Sequence, residues 1–237
     1  MASCSLPLYI AIGLLMVDSI IELSFISSTV AWLHYRAGKD FEIAYNGSTY
    51  PLHGKPLNDV ADQGHTSNGA AGTAFVLIGM GGIVVLWMRS RPSLRRRGFV
   101  KILYHIWLVL TVLSALLTLA ALIFTFIVTA KYAGQTIDNG VASQLDNHPY
   151  PNYVKYPLDT WTPENWFDAV LQLDLVHQSD RDNIELKVAI IRGWRWNLIP
   201  MFILGAAVAV LAFWDAFQRR KAARTVRDTE ATKETGF

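Results

Sequence analysis

Four long runs of apolar residues, at about 6–33, 70–88, 102–130 and 198–217, constrain this chain more than any other feature. Each is long enough for a helix to cross a hydrocarbon layer about 30 Å thick. Inside that layer no water satisfies the backbone, so each run must pair its N–H and C=O groups within itself, as a helix does. Charged residues make up only 17% of the chain, against roughly a quarter in a soluble one. The expected fold class is an all-α membrane protein, a bundle of four transmembrane helices. No Lys or Arg precedes the first run, and Asp18 and Glu22 interrupt it. A cleavable signal peptide has a basic start and a short apolar stretch, so this run reads as a retained helix.

Orientation follows from where Lys and Arg cluster beside the runs. The segment 89–101 carries Arg89, Arg91, Arg95, Arg96, Arg97 and Lys101, and the tail 218–237 carries Arg219, Arg220, Lys221, Arg224 and Arg227. Both are predicted to be cytosolic, together with the N-terminal residues 1–5. The loops 34–69 and 131–197 then face the lumen or the exterior, in the plasma membrane or the endomembrane system. Asn46-Gly47-Ser48, in the first of them, is a sequon for N-glycosylation at Asn46. A single cysteine, Cys4, excludes an intrachain disulfide and a multi-cysteine zinc site. Its position beside the membrane makes it a candidate for palmitoylation, with an incidental thiol as the alternative. No basic patch interleaved with aromatics lies away from the membrane ends, so nucleic acid is not an expected partner.

The second external loop is predicted to hold two short helices. Thr162-Pro163-Glu164 has the pattern of a capped helix start, and Trp166, Val170 and Leu173 recur behind it at helical spacing. That helix is expected to lie on the membrane, its apolar face toward lipid or the first loop. Ser179 with Asp180 and Asp182 reads as a second cap, for a helix ending near Arg192. Gly193-Trp194-Arg195-Trp196-Asn197 then enters the fourth run, and its tryptophans suit anchoring at the bilayer interface. The last dozen residues are expected to be disordered.

Chemistry is sparse. Gly79-Met80-Gly81-Gly82 lies within an apolar run and lacks nucleotide-loop spacing. Gly72, Gly79 and Gly82, with Ala71 and Ala74, suit close helix approach instead. His105 reads as a headgroup-level polar residue. Asp18 and Glu22 stand four residues apart, on one helix face shared with Thr29. Asp18 is about 18 Å from the start of its run at 1.5 Å per residue. Thr111, Ser114, Thr118, Thr125 and Thr129 form a hydroxyl stripe along the third run. Acids and hydroxyls together imply a polar seam, with at least one acid protonated and hydrogen-bonded to Thr111, Ser114 or Thr118. Arg195 is the nearest cation in sequence.

Internal termini, two external loops and a short basic turn resemble the claudin-like four-span class in topology. The paired loop cysteines of claudins and tetraspanins are absent. Trp161-Thr162-Pro163-Glu164-Asn165-Trp166 and Arg192-Gly193-Trp194-Arg195-Trp196-Asn197-Leu198-Ile199-Pro200 resemble uncharacterised four-span membrane proteins of filamentous fungi, a likeness that implies no activity. The leading expectation is a non-enzymatic organiser of membrane lipid, other membrane proteins or copies of itself, without cofactor or metal. The alternatives are an isomerase- or cyclase-type enzyme using Asp18 and Glu22 on a lipophilic substrate, or a proton-coupled transport component.

Overall fold

The computed structural model describes residues 5–36, 38–60, 62–95, 98–151 and 161–234. Cys4, Arg96, Arg97 and Phe237 lie outside them. Four helices, Leu6–Arg36, Asp62–Ser90, Gly98–Lys131 and Gln178–Ala222, are long and apolar enough to cross a membrane. The chain is a four-span, all-α membrane protein with short helices in its loops and one small sheet.

In chain order the elements are α1 (Ser5–Arg36), β1 (Asp40–Tyr45), β2 (Ser48–His53), α2 (Asp62–Thr73), a π-helical segment (Ala74–Met80), α3 (Gly81–Ser90), α4 (Pro92–Arg95), α5 (Gly98–Lys131), α6 (Asn139–Ala142), α7 (Pro163–Val170) and α8 (Gln178–Glu234). Several outrun the apolar blocks that predict them. The second span starts at Asp62 instead of residue 70, because Gln63 and Ser67 are buried against protein and continue the helix. The helix expected to end near Arg192 does not stop there. It is the first part of α8, which carries a buried stripe of Ile184, Val188, Ile191, Trp194 and Leu198 straight into the fourth span. The polar tail also stays helical, to Glu234. Neither Gly nor Pro interrupts it after Gly205, and Ala, Arg, Lys and Glu favour the helix.

The chain divides into two compact units. The first holds Met1–Ser19, Gly72–Thr118 and Pro200–Phe237. Here the glycines act by closeness. A Cβ on Gly82 would stand 2.8 Å from the Trp107 indole, and one on Gly79 would collide with the Met16 side chain. Gly72 has open space instead. Trp107 donates its indole N–H to the Ile78 carbonyl at 3.2 Å, within the π-helical segment. Asp215 is buried and accepts from Arg219 Nε at 2.7 Å.

The second unit holds Ile20–Ala71 and Leu119–Ile199. Its two loops fold together. β1 and β2 form an antiparallel hairpin closed by Asn46 and Gly47, both at positive φ (51° and 79°). That is the signature of a type I′ turn, which Asn-Gly favours. Residues 174–176 run beside β1, with Ala44 N–H donating to Asp174 O at 2.8 Å and Val176 N–H to Glu42 O at 3.0 Å. The sheet is an addition to the all-α expectation.

Of the two tryptophans expected at the bilayer interface, Trp194 is buried and Trp196 is exposed, at 54%. Trp161 and Trp166 are buried in protein as well. The apolar face of α7 turns toward the first loop and not toward lipid. Trp166, Phe167, Val170 and Leu173 share a core with Phe41, Ile43, Tyr50 and Leu52 of the hairpin.

Asp59 sits in the same weave, between Asn58, which accepts from Trp161 N–H, and Val60, which donates to Trp161 O, both at 2.9 Å. Burial pushes its carboxyl from 3.8 up to about 6, with Lys55 opposing. The folded state therefore holds this proton more tightly than the unfolded one. Its stabilising effect is complete below about pH 4 and is lost as pH rises through about 6. Asp59→Asn is expected to flatten that dependence and to raise stability at pH 7.5 by at most about 3 kcal/mol, with a higher thermal midpoint. Melting curves at pH 5 and 7.5 check this. A variant that keeps the wild-type slope would show that Asp59 is not its source.

Candidate functional site

The two sequence segments singled out in the second half of the chain, 161–166 and 192–200, come together in the second unit. Thr162 caps α7, its hydroxyl accepting from Asn165 N–H at 3.2 Å, and Pro163 occupies the first turn, where a missing N–H costs nothing. This places Glu164 and Asn165 on the first turn of α7, facing α5 and α8. Asn165 Nδ2 donates to Thr129 O at 3.0 Å, near the end of α5.

Glu164 is the centre of an ion-pair cluster. Its Oε1 accepts from Arg192 Nε and its Oε2 meets Arg195 Nη1, each at 3.3 Å. Arg192 reaches on to Asp168, with Nη2 2.8 Å from both carboxylate oxygens. The carboxylates lie one turn apart on α7, and the arginines three residues apart on α8, so each pair shares a helix face. Burial pushes the Glu164 carboxyl above its ordinary value, and Arg195 and then Arg192 pull it back. A lone buried carboxylate would be costly, and the two guanidinium partners offset part of that cost. The four side chains line a cavity of about 430 Å³ beside Thr129, Gln135 and Gln172.

The acids and hydroxyls of the polar seam are buried to different degrees. Glu22, in the second unit, is fully buried, and its Oε2 accepts from Asn197 Nδ2 of α8 at 3.0 Å. Asp18, in the first unit, is half-buried. Thr111, Ser114, Thr118, Thr125 and Thr129 are all buried, as is Thr29. Three of these hydroxyls donate to their own helix: Thr29 to Phe25 O at 2.9 Å, Thr111 to Leu108 O at 2.7 Å and Thr118 to Ser114 O at 3.0 Å. Thr125 meets Ser67 of α2 at 3.5 Å. Arg195, the nearest cation to the acids in sequence reasoning, pairs with Glu164.

Sequence reasoning missed the Glu164 cluster and the partner of Glu22. A Glu in the first helical turn has a sufficient local explanation in the helix dipole, which hides its second role. Asn197 stands at the entry to an apolar run, and that position was the available signal. Asn46 is exposed at the tip of the hairpin, and this leaves its side chain accessible. A second cavity, of about 260 Å³, lies in the first unit between α5 and α8 and is lined by His105, Phe213, Phe217 and Arg220 among others. Comparison with family models, curated proteins and solved structures finds no match for this chain.

Proposed function

We propose that this protein is a non-enzymatic organiser of the membrane, holding lipids, other membrane proteins or its own copies through the folded loops of its second unit. The observation that carries this reading is how Glu22 is used. A catalytic or proton-carrying carboxyl needs access to substrate or water. Glu22 is instead fully buried and tied to Asn197. The two cavities described above are lined by residues other than Asp18 and Glu22. Interhelical hydrogen bonds of this kind are worth about 1 kcal/mol and act as glue between spans.

The clustering of arginines on 89–101 and on the tail supports a cytosolic position for those segments. The hairpin then faces the lumen or exterior, with Asn46 available for glycosylation. Asp18→Asn and Glu22→Gln preserve shape while removing the ability to ionise. Both variants are expected to reach wild-type abundance and to restore fully whatever phenotype deletion of the chain produces. Normal abundance with lost complementation would establish proton chemistry at the acids and overturn the organiser reading.

A further inference from the structure

The cavity beside α7 has the charge pattern of a receptor for a doubly charged, net-neutral group. Two carboxylates, Glu164 and Asp168, and two guanidiniums, Arg192 and Arg195, line it. Their formal charges cancel. A simple anion or cation would draw one pole from its present partner and leave the other bare, whereas a zwitterion replaces the partners of both. Glu164 closes the base, with 6% of its side chain exposed, while Arg192 and Asp168 are far more open, at 49% and 33%. The open pair can therefore part around a ligand without unmaking the buried one. Arg195 adds a specific invitation: its Nε–H is buried and has no acceptor among the described residues. A buried donor left unpaired is costly, and an incoming oxygen would recover that cost.

Position identifies the source of the ligand. α5 exposes Ile123, Phe124 and Ile127 just before the cavity wall at Thr129. Trp196, exposed, meets Phe126 edge-to-face at 5.2 Å, and the Arg195 guanidinium lies 5.5 Å and 5.7 Å from those two rings. An exposed apolar surface ending in Trp beneath Arg marks the level where hydrocarbon gives way to headgroups. A ligand here has a charged head in the cavity and apolar chains along α5.

The cationic part of that head is constrained as well. The Asp168 carboxylate and the carbonyl end of α5 are acceptors, and a helix C-terminus carries partial negative charge. A primary ammonium offers three N–H donors to such oxygens; a quaternary one offers none. We propose that this cavity holds the headgroup of an amine-bearing zwitterionic phospholipid of the surrounding leaflet, its phosphate on Arg192 and Arg195 and its ammonium on Asp168.

The test uses the full chain in nanodiscs with equal parts of phosphatidylethanolamine, phosphatidylcholine and phosphatidylglycerol, released and read by native mass spectrometry. Retained phosphatidylethanolamine is expected to exceed each of the others about ten-fold, the loss of one charge-assisted hydrogen bond being worth about that much. Arg192→Gln and Asp168→Asn are each expected to abolish the preference with helical content unchanged. Should Arg192→Gln fail to fold, Asp168→Asn decides the matter, since it leaves Glu164 with both arginines. Equal retention of the three lipids, or a preference that survives in Asp168→Asn, would overturn the assignment. Soluble phosphoethanolamine tests the source: it is expected to compete only weakly, and displacement of the lipid at equimolar concentration would overturn a membrane-derived ligand.

Discussion

Replacing Trp166 by alanine is expected to destabilise the second unit by about 3–5 kcal/mol, the range for deleting a large aromatic from a packed core. The side chain is 1% exposed. Its ring meets Trp161 at 5.2 Å and 79°, an edge-to-face arrangement, and Tyr150 at 6.2 Å. Its indole N–H donates to Gly54 O at 3.1 Å, tying α7 to the segment just after β2. Alanine would leave a cavity among Tyr150, Trp161 and the hairpin residues, and strand the Gly54 carbonyl. This core joins the loops to α1 and α8 through Ile26, Leu33, Ile184, Val188 and Trp194, so its loss unpacks loops and helices together and carries a large hydrophobic penalty. Trp166→Phe keeps most of the packing and loses the hydrogen bond, so about 1–2 kcal/mol is expected. Trp196→Ala serves as the contrast, since that ring is 54% exposed and about 1 kcal/mol or less is at stake. Unfolding in mild detergent, followed by near-ultraviolet dichroism and by protease cleavage within 40–60, measures all three. Equal losses for Trp166→Ala and Trp196→Ala would mean that the loops do not share a core.

Glu164→Ala is expected to cost about 3 kcal/mol. Breaking a buried ion pair by removing one partner costs about 3–5 kcal/mol, because the remaining charge stays in a poor solvent. The lower end applies here. Arg192 is half exposed and retains Asp168 through both carboxylate oxygens, so it is not stranded. Arg195, 20% exposed, bears most of the loss. Glu164→Gln keeps the shape and an acceptor oxygen and should cost about half as much. A double-mutant cycle with Arg195→Gln isolates the coupling, expected at about 1–3 kcal/mol in the same detergent unfolding assay. Additive losses would show that Glu164 and Arg195 act independently and that the 3.3 Å contact contributes nothing.

Both predictions concern residues whose neighbours are far away in sequence. Local features, by contrast, were plain beforehand. Apolar runs announce spans because every buried backbone group must pair within its own helix. Thr162-Pro163 announces a helix start because cap and first turn lie three residues apart. Burial of the α5 hydroxyls was legible as well, since a 3.6-residue period places them on one face. The hairpin is equally local. Asn46-Gly47 between alternating strand residues is a strong turn signal, and the same residues also spell the sequon.

The roles of Glu164, Arg192, Arg195 and the tryptophans were decided elsewhere. A tryptophan beside an arginine at the end of an apolar run is equally consistent with the bilayer interface and with a protein core. Composition cannot separate the two, because both offer an apolar body and a polar rim. Trp194 and Trp196 differ only in which face of α8 they occupy, and that matters only because α8 begins at Gln178 and carries the Ile184–Ile191 stripe into protein. In the same way, a glutamate in a first turn and an arginine before a span are each explained locally. Their pairing requires α7, α5 and α8 to converge, bringing residues 164 and 192 within 3.3 Å across 28 positions of chain. Local sequence dictates helices and turns because backbone hydrogen bonds and side-chain periods act over a few residues. Which charges meet, and which tryptophan faces protein or lipid, depends on packing between segments that no local interaction connects.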